Sequence, residues 1–247
     1  MLLRWYRKCI ANGGMLVLGV LTVIIRYASF GYGVPFNRRV VTPALSRLFL
    51  LLCGIRVRRQ GRLAAGPGAA CYFFNHNSNL DIFLIPLLGL PNTRAIITEG
   101  IKNILPLHLC NLGIDVLYIP DSHKTQERIA FFQRVSADLR AGKYSVICSP
   151  EGRHEFKRGI APMNRGVFHM AMAGECPVQL LYFDIPEESD PLEGVDLRSG
   201  TVTVRSLGLV ETTTWQLEQL PERIDEIRQC YLAAFRAANP SSQCQES

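Results

Sequence analysis

The residues best suited to catalysis lie in the segment NHNSNLD, where His76 and Asp81 stand five positions apart. On a continuous helix this spacing would turn the two side chains about 140° away from each other, so they can meet only across a loop that leads into a helix. An apolar, strand-like stretch before Asn75 and an apolar run after Asp81 provide such a junction. A carboxylate that orients an imidazole prepares the other ring nitrogen to accept a proton from a hydroxyl. The segment therefore predicts a general base made of His76 and Asp81.

Ser78 allows a second interpretation of the same segment. Ser78 followed three residues later by Asp81 is a capping-box pattern, so both residues could simply begin a helix. This interpretation gives His76 no role, and it is compatible with the catalytic one, because a carboxylate in the first helical turn can face an imidazole in the preceding loop. The sequence contains no G-x-S-x-G elbow for a serine nucleophile. Its five histidines form no H-E-x-x-H pattern, and we predict no metal site.

A second charged segment, CSPEGRHEFKRG, follows the strand-like residues 144–148. A proline and Gly152 mark a turn, and Glu151 and Arg153 are among the charged residues around it. Arginine and lysine beside a glycine turn suit a phosphate ester, and a solvated charged loop is the alternative. Arg165 near the start of the next predicted helix offers another anion-binding position.

The elements around these segments predict an α/β fold. Short strands that are apolar on both faces alternate with amphipathic helices, which indicates a mixed, mostly buried sheet flanked by helices. The predicted strands cover residues 70–74, 94–98, 116–119, 144–148, 178–183 and 201–210. The predicted helices cover residues 81–90, 101–112, 124–141, 164–173 and 221–237.

The charge of the chain is distributed unevenly along its 247 residues. The formal net charge is +6, yet the first 80 residues contain eleven Arg and Lys and no carboxylate. Because these basic residues flank aliphatic runs and do not lie on a polar, aromatic-bearing face, they favour an anionic membrane surface as a partner over nucleic acid.

Two apolar runs in this basic segment predict a membrane-associated helical hairpin over residues 1–62, followed by the α/β domain over residues 63–247. Between Lys8 and Arg26 lie 17 uncharged residues. A helix of that length covers about 26 Å, which is marginal against a hydrocarbon core of about 30 Å. A Gly- and Pro-bearing turn separates this run from the second, so the pair is expected to lie in or on one leaflet. A cleaved signal peptide is the competing interpretation, although no small-x-small site directly follows the first run.

The ordered set NHNSNLD, SPEG, NRG and the Pro-led strand CPVQLLYF resembles the glycerolipid acyltransferase family, which includes the 1-acyl-glycerol-3-phosphate acyltransferases. The basic N-terminus also looks like the membrane-binding hairpin of bacterial members. The resemblance implies that His76 is the base toward an acceptor hydroxyl, that Asp81 orients it, and that Ser78 is the usual serine of the motif. It further implies acceptor binding by Glu151 and Gly152.

The chain departs from the family pattern in two blocks. Asp121 stands near the place of the arginine that usually ends the second block. The third block usually reads E-G-T-R but here reads E-G-R-H, which moves Arg153 one residue early and leaves a histidine at the usual arginine position. The family arginines are expected to hold a phosphate, so the headgroup stays open. Candidate substitutes are Lys124, Arg128 and Arg165.

Together with the basic, apolar N-terminus, the resemblance implies a membrane-associated O-acyltransferase that acts without a cofactor. Its acceptor would be a lysophospholipid, first of all 1-acyl-glycerol-3-phosphate, and its donor would be acyl-CoA or an acyl carrier protein. In a bacterium, the expected location is the cytoplasmic face of the inner membrane. Three alternatives stay open: an acyltransferase for another lysolipid headgroup, a lipid esterase that uses the same pair, and a non-enzymatic membrane-anchored interaction protein.

Overall fold

The computed structural model describes residues 2–63, 68–76, 78–152, 159–189 and 197–240. Within these ranges, seven strands form one sheet. The strands are β1 (Ile55–Gln60), β2 (Cys71–Phe74), β3 (Thr93–Thr98), β4 (Leu117–Ile119), β5 (Ser145–Cys148), β6 (Val178–Asp184) and β7 (Gly200–Val210). Their spatial order is β1-β7-β6-β2-β5-β3-β4.

The sheet is mixed, as predicted. Strands β2 to β6 run parallel to one another, β7 is antiparallel to β6, and β1 is parallel to β7. The carboxyl ends of β2 and β5 are therefore neighbours at one edge of the sheet, which we call the carboxyl edge. The loops that carry His76 and Glu151 both leave the sheet at this edge, where ligand sites of open α/β sheets are commonly found.

Helices cover both faces of the sheet, which confirms the predicted fold class. The helices are α1 (Leu2–Ala28), α2 (Val34–Phe36), α3 (Thr42–Leu52), α4 (Asp81–Leu87), α5 (Leu105–Ile114), α6 (Thr125–Arg140), α7 (Arg165–Ala173) and α8 (Leu220–Ala238). Because side chains alternate along a strand, Tyr72 and Phe74 of β2 pack in the core beneath α1, α3, α4 and α5, whereas Cys71 and Phe73 pack beneath α6, α7 and α8. Full burial of such a phenylalanine contributes about 1.5–3 kcal/mol to folding.

Strand β1 lies within the segment that the sequence analysis assigned to the helical hairpin. It pairs with β7 from Ile55 to Gln60, so the sheet begins before the predicted boundary at residue 62. Ile55 is buried and Val57 half-buried, while Arg56 and Arg58 between and after them are exposed. This alternation is typical of a strand with one covered face, but the density of arginines concealed it in the sequence.

The N-terminal hairpin, which consists of α1 to α3, packs closely on α5. Gly19 and Gly113 allow this contact, since a Cβ at Gly19 would lie 2.7 Å from the Leu109 Cβ and a Cβ at Gly113 would overlap the Thr22 side chain. The buried Asn37 amide donates to the carbonyl oxygens of Thr22 at 2.8 Å and Gly113 at 2.9 Å. The hairpin is thus fixed to the α/β domain by hydrogen bonds as well as by apolar packing.

Asp115, which follows α5, joins the hairpin to the sheet through three arginines. Its carboxylate lies 3.9 Å from Arg26, 3.3 Å from Arg38 and 2.9 Å from Arg94. The side chain of Arg26 also donates to the carbonyl oxygen of Leu112. These contacts place positive charge at the C-terminal end of α5, where it is favourable.

The outer face of the hairpin is apolar and exposed. Among the described residues, α1 is the one helix whose length and composition would allow it to cross a membrane, over Trp5–Ala28. The helix begins earlier than the apolar run, because the residues before Lys8, with their basic side chains, continue it without a break. Its exposed large apolar residues, with those of α3 and the turn between them, are Leu2, Leu3, Trp5, Tyr6, Leu16, Val17, Val20, Leu21, Ile24, Tyr27, Phe30, Tyr32, Phe36, Val40, Leu48, Leu51 and Leu52.

Candidate active site

His76 and Asp81 are in direct contact at the carboxyl edge of the sheet. The loop from the end of β2 to the start of α4 brings the His76 Nδ1 to 2.6 Å from the Asp81 Oδ2. Asp81 is 1 % exposed, whereas the side chain of His76 is 29 % exposed. The buried carboxylate therefore holds an imidazole that solvent or a substrate can reach, which is the arrangement that a general base requires.

Ser78 shapes this loop from a fully buried position. Its Oγ accepts the main-chain N–H of Leu80 at 3.1 Å, and its carbonyl oxygen accepts the N–H of Asp81 at 3.3 Å. These bonds form a turn that precedes α4, and the N-cap of α4 is Leu80. The hydroxyl thus contacts main chain two residues ahead, and the N-cap position that the predicted capping box gave to Ser78 is occupied by Leu80. Asp81 is the first residue of α4, where a carboxylate is favourable.

Asn75, which precedes His76, connects the end of β2 to β6, a role that the sequence analysis did not assign. The Asn75 Oδ1 accepts the N–H of Phe183 at 2.7 Å, and its Nδ2 donates to the carbonyl oxygen of Phe183 at 3.1 Å. These two side-chain hydrogen bonds continue the pairing of β2 with β6 beyond Phe74. Phe74 stacks on Phe183 and meets the His76 ring edge-on at a centroid distance of 5.9 Å. The sequence offered one signal for this role, the first asparagine of NHNSNLD. Its partner could not be identified from the sequence, because Phe183 lies on a strand that is remote along the chain.

Glu151 reaches the same loop from the end of the neighbouring strand β5. Its Oε1 accepts the main-chain N–H of His76 at 2.8 Å, and its Oε2 accepts that of Ala161 at 2.8 Å. The residue is 4 % exposed. A buried carboxylate needs such donors, because a charge removed from water without partners is strongly destabilising.

Gly152 and Asn164 hold the turn that carries Glu151. Gly152 has φ +74°, and a Cβ there would overlap the Asn164 amide. The Asn164 Nδ2 donates to the carbonyl oxygen of Glu151 at 2.7 Å, and its main-chain N–H donates to that of Pro150 at 2.7 Å. Gly152 is therefore needed for close approach, and Asn164 is a second residue whose role sequence reasoning missed.

The electrostatic environment shifts the pKa of both His76 and Glu151. Burial lowers the pKa of His76, but the hydrogen bond and charge of Asp81, with the charge of Glu151, raise it to a net value above the ordinary 6.5. Burial raises the pKa of Glu151 against the main-chain hydrogen bonds from His76 and Ala161. Two carboxylates thus favour the protonated imidazole that forms when His76 takes a proton.

The basic residues that the sequence analysis proposed for binding a phosphate lie in two separate parts of the structure. Lys124 lies 2.5 Å from Glu99, and Arg128 donates to the carbonyl oxygen of Pro120 at 2.8 Å. Both follow β4, which is separated from β2 by two strands, a distance of about 14 Å across the sheet. Arg165 is exposed in the first turn of α7.

Arg153 lies outside the described residues, so its predicted role stays a prediction. The described residues of the sheet edge thus bring together His76, Ser78, Asp81, Glu151 and Gly152, and they leave Lys124 and Arg128 apart. Among the described residues, no group of three or more His, Cys, Asp or Glu side chains is arranged to hold a metal ion.

Comparison with known proteins gives this site a family. The model of the family described as "Acyltransferase" matches residues 54–183, a segment that contains His76, Asp81 and Glu151. The 1-acyl-sn-glycerol-3-phosphate acyltransferase alpha of Bos taurus is 25 % identical over 242 residues, which cover 94 % of this chain and 80 % of that protein. The 1-acyl-sn-glycerol-3-phosphate acyltransferase of Haemophilus influenzae is 27 % identical over 168 residues, which cover 66 % of this chain and 65 % of that protein.

A solved structure shares the fold. The crystal structure of the 1-acyl-sn-glycerophosphate (LPA) acyltransferase from Thermotoga maritima superimposes with a TM-score of 0.73 at 16 % identity, covering 96 % of this chain and 97 % of that one. At this identity the match establishes the architecture alone. Because the family model spans more than half of the sequence and includes the His76–Asp81 pair, the chain belongs to the acyltransferase family.

Proposed function

We propose that this acyltransferase moves an acyl chain from a thioester to the free hydroxyl of 1-acylglycerol 3-phosphate, with His76 as the general base. The observation that carries the proposal is the 2.6 Å contact between His76 and Asp81 inside the segment matched to the family. The names of the relatives from Bos taurus and Haemophilus influenzae support the choice of acceptor. The donor is acyl-CoA or an acyl carrier protein, which acts as a co-substrate, and no resident cofactor takes part.

In the proposed reaction, His76 accepts the hydroxyl proton on Nε2 while its Nδ1–H donates a hydrogen bond to the ionised carboxylate of Asp81. The acceptor oxygen bonds to the thioester carbonyl carbon, the C–S bond then breaks, and the thiolate leaves with the proton that the imidazolium returns. Asp81 and Glu151 stabilise the imidazolium between these two steps. General-base assistance of this kind contributes about 10²- to 10⁴-fold to the rate.

For the acceptor phosphate, we propose Arg165 among the described cations, together with Arg153 from the sequence analysis. Arg165 is exposed and directly follows Asn164, whose side chain contacts the main chain of Glu151, so it belongs to the same edge as the base. The charge of Lys124 is already paired with Glu99, and Lys124 follows β4, which is separated from β2 by two strands. Arg165 has no such contact among the described residues.

We further propose that the exposed apolar face of α1 and α3 inserts into one leaflet of an anionic membrane. The absence of carboxylates in the first 80 residues of the sequence and the eleven basic residues there support this orientation. In a bacterium, this membrane would be the inner membrane at its cytoplasmic face. The lysolipid would then meet the site at the headgroup level.

The test is an acyl-transfer assay with purified protein in anionic vesicles, one acyl-CoA and a panel of lysolipids, with products identified by mass spectrometry. We expect phosphatidic acid as the main product, and preference for another lysolipid would contradict the headgroup assignment. Release of free fatty acid without acyl transfer would indicate an esterase, and no turnover with any lysolipid would favour an interaction protein. His76→Ala should lose at least about 100-fold in rate, while the exposed His169→Ala should keep wild-type activity.

A further inference from the structure

Glu151 contacts the protein at both of its carboxylate oxygens, and each contact goes to main chain. One N–H comes from His76 in the loop after β2, and the other comes from Ala161 before α7. A group that bound the acceptor headgroup would be expected to present an oxygen to the substrate. The carboxylate of Glu151 is instead directed into the protein and is 4 % exposed.

The main chain of Glu151 is fixed as firmly as its side chain. Its N–H donates to the Ser149 Oγ at 3.2 Å, and its carbonyl oxygen accepts the Asn164 Nδ2 at 2.7 Å. A side chain that is held at its own main chain and at both oxygens has a single available position. Glu151 therefore defines where the main chain of His76 lies relative to β5.

Two carboxylates act on the His76 ring from two different elements. Asp81 faces it from α4, and Glu151 faces it from the turn after β5; among the described residues, these are the charged groups that act on its ionisation. In turn, the charge of His76 lowers the pKa of Glu151 and the charge of Asp81 raises it. The uncharged phenol of Tyr231 on α8 donates to the carbonyl oxygen of Phe73 on β2 at 2.7 Å.

We propose that Glu151 is a positioning residue for the general base: its carboxylate holds the main chain of His76 in place and adds negative charge beside the imidazole, and it does not contact the acceptor. This inference rests on the proposed function of His76, and it differs from the acceptor-binding role that the family resemblance implies. Misplacement of a base by about 1 Å, or loss of a hydrogen bond to a charged group, lowers the rate by about 10- to 100-fold.

The test compares Glu151→Gln and Glu151→Asp with a matched control, Glu211→Gln, which changes an exposed carboxylate. Steady-state rates with varied lysolipid at saturating acyl-CoA are measured across pH. For Glu151→Gln we expect kcat to fall about 10- to 100-fold with KM for the lysolipid unchanged. The acidic limb of kcat/KM should move to lower pH, because one of the charges that raises the pKa of His76 is gone. Glu211→Gln should change none of these values.

Glu151→Asp keeps the charge but shortens the reach, so it should lower kcat while its acidic limb stays closer to that of the wild type. This variant decides the matter if Glu151→Gln fails to fold. An increase in KM for the lysolipid with unchanged kcat and pH profile would overturn the proposal and support acceptor binding.

NMR titration of the His76 imidazole in micelles separates this inference from the proposed function. We expect a lower pKa of His76 in Glu151→Gln than in the wild type, and an unchanged pKa would contradict the inference. If His76→Ala retains full activity, the general-base function fails even where the titration shows the expected shift.

Discussion

Replacing Asp81 with asparagine removes the charge that faces the His76 Nδ1 at 2.6 Å while nearly keeping the size of a buried side chain. Two consequences follow for His76. The hydrogen bond to an ionised partner is lost, and an amide N–H turned toward Nδ1 would place the imidazole proton on Nε2. In that tautomer the ring cannot accept a proton from the acceptor hydroxyl.

The expected loss of rate can be worked from these two effects. A hydrogen bond to a charged group contributes about 1.5–3 kcal/mol, which corresponds to roughly 10- to 150-fold in rate. The tautomer adds to this loss, and the equivalent change in a Ser-His-Asp triad lowers kcat by about 10⁴-fold. For Asp81→Asn we therefore expect kcat to fall by about 10²- to 10⁴-fold.

The pH dependence of Asp81→Asn has a definite sign. Burial continues to lower the pKa of His76, and the largest of the opposing influences is gone, so the acidic limb of kcat/KM should move to lower pH. Because the pKa of His76 is raised in the folded wild type, the protonated ring contributes stability that is fully present below its unfolded pKa of about 6.5 and is lost as pH rises through the folded value. The stability of Asp81→Asn relative to the wild type should therefore be lowest in acid.

The assay combines acyl transfer across pH with denaturant unfolding at one pH below and one above the acidic limb. The matched control is Asp225→Asn, which replaces an exposed carboxylate on α8 with an amide. A variant with kcat within about twofold of the wild type and an unmoved acidic limb would refute the assignment of His76 and Asp81 as a catalytic pair.

Two further predictions concern the parts that support the site and the hairpin. Gly152→Ala should destabilise the protein by about 2–3 kcal/mol and lower activity, because the new Cβ overlaps Asn164 and the residue also has a strained positive φ. Gly142 has a positive φ as well, but open space surrounds it. In unfolding experiments, Gly142→Ala should therefore destabilise the protein by only about 1–2 kcal/mol. Asp115→Asn should lower the free energy of unfolding by about 1–2 kcal/mol, since it leaves three arginines without their shared carboxylate. An unfolding midpoint equal to that of Asp225→Asn would contradict this stabilising role of Asp115.

The contact between His76 and Asp81 could be predicted because it is local. A strand end, five residues and a helix start were all visible in the sequence, and elementary helix geometry required a loop between the two side chains. The contact from Glu151 to the main chain of His76 could not be predicted in the same way. It depends on β5 lying beside β2, and the apolar pattern of each strand is compatible with several spatial orders.

The same limit explains the other differences between prediction and structure. Lys124 looked available for a phosphate because Glu99, its partner, follows a different strand. Asn75 looked like a loop residue because Phe183 lies 108 residues away. Strand β1 was missed because its arginines were assigned to the basic, membrane-associated hairpin, although its buried positions alternate as those of a strand do.

The reversal of β7 has a consequence for how a lipid would reach His76. Strand β7 is antiparallel to β6, and β1 is parallel to β7, so β1 begins at the carboxyl edge where β2 ends. The end of α3, with exposed Leu48, Leu51 and Leu52, leads directly into β1 and therefore lies at the same edge as His76. Had β7 been parallel to β6, the apolar end of α3 would lie at the opposite edge. If the hairpin inserts into a leaflet as proposed, this topology places His76 on the side of the sheet that faces the membrane, where the proposed lysolipid acceptor would lie.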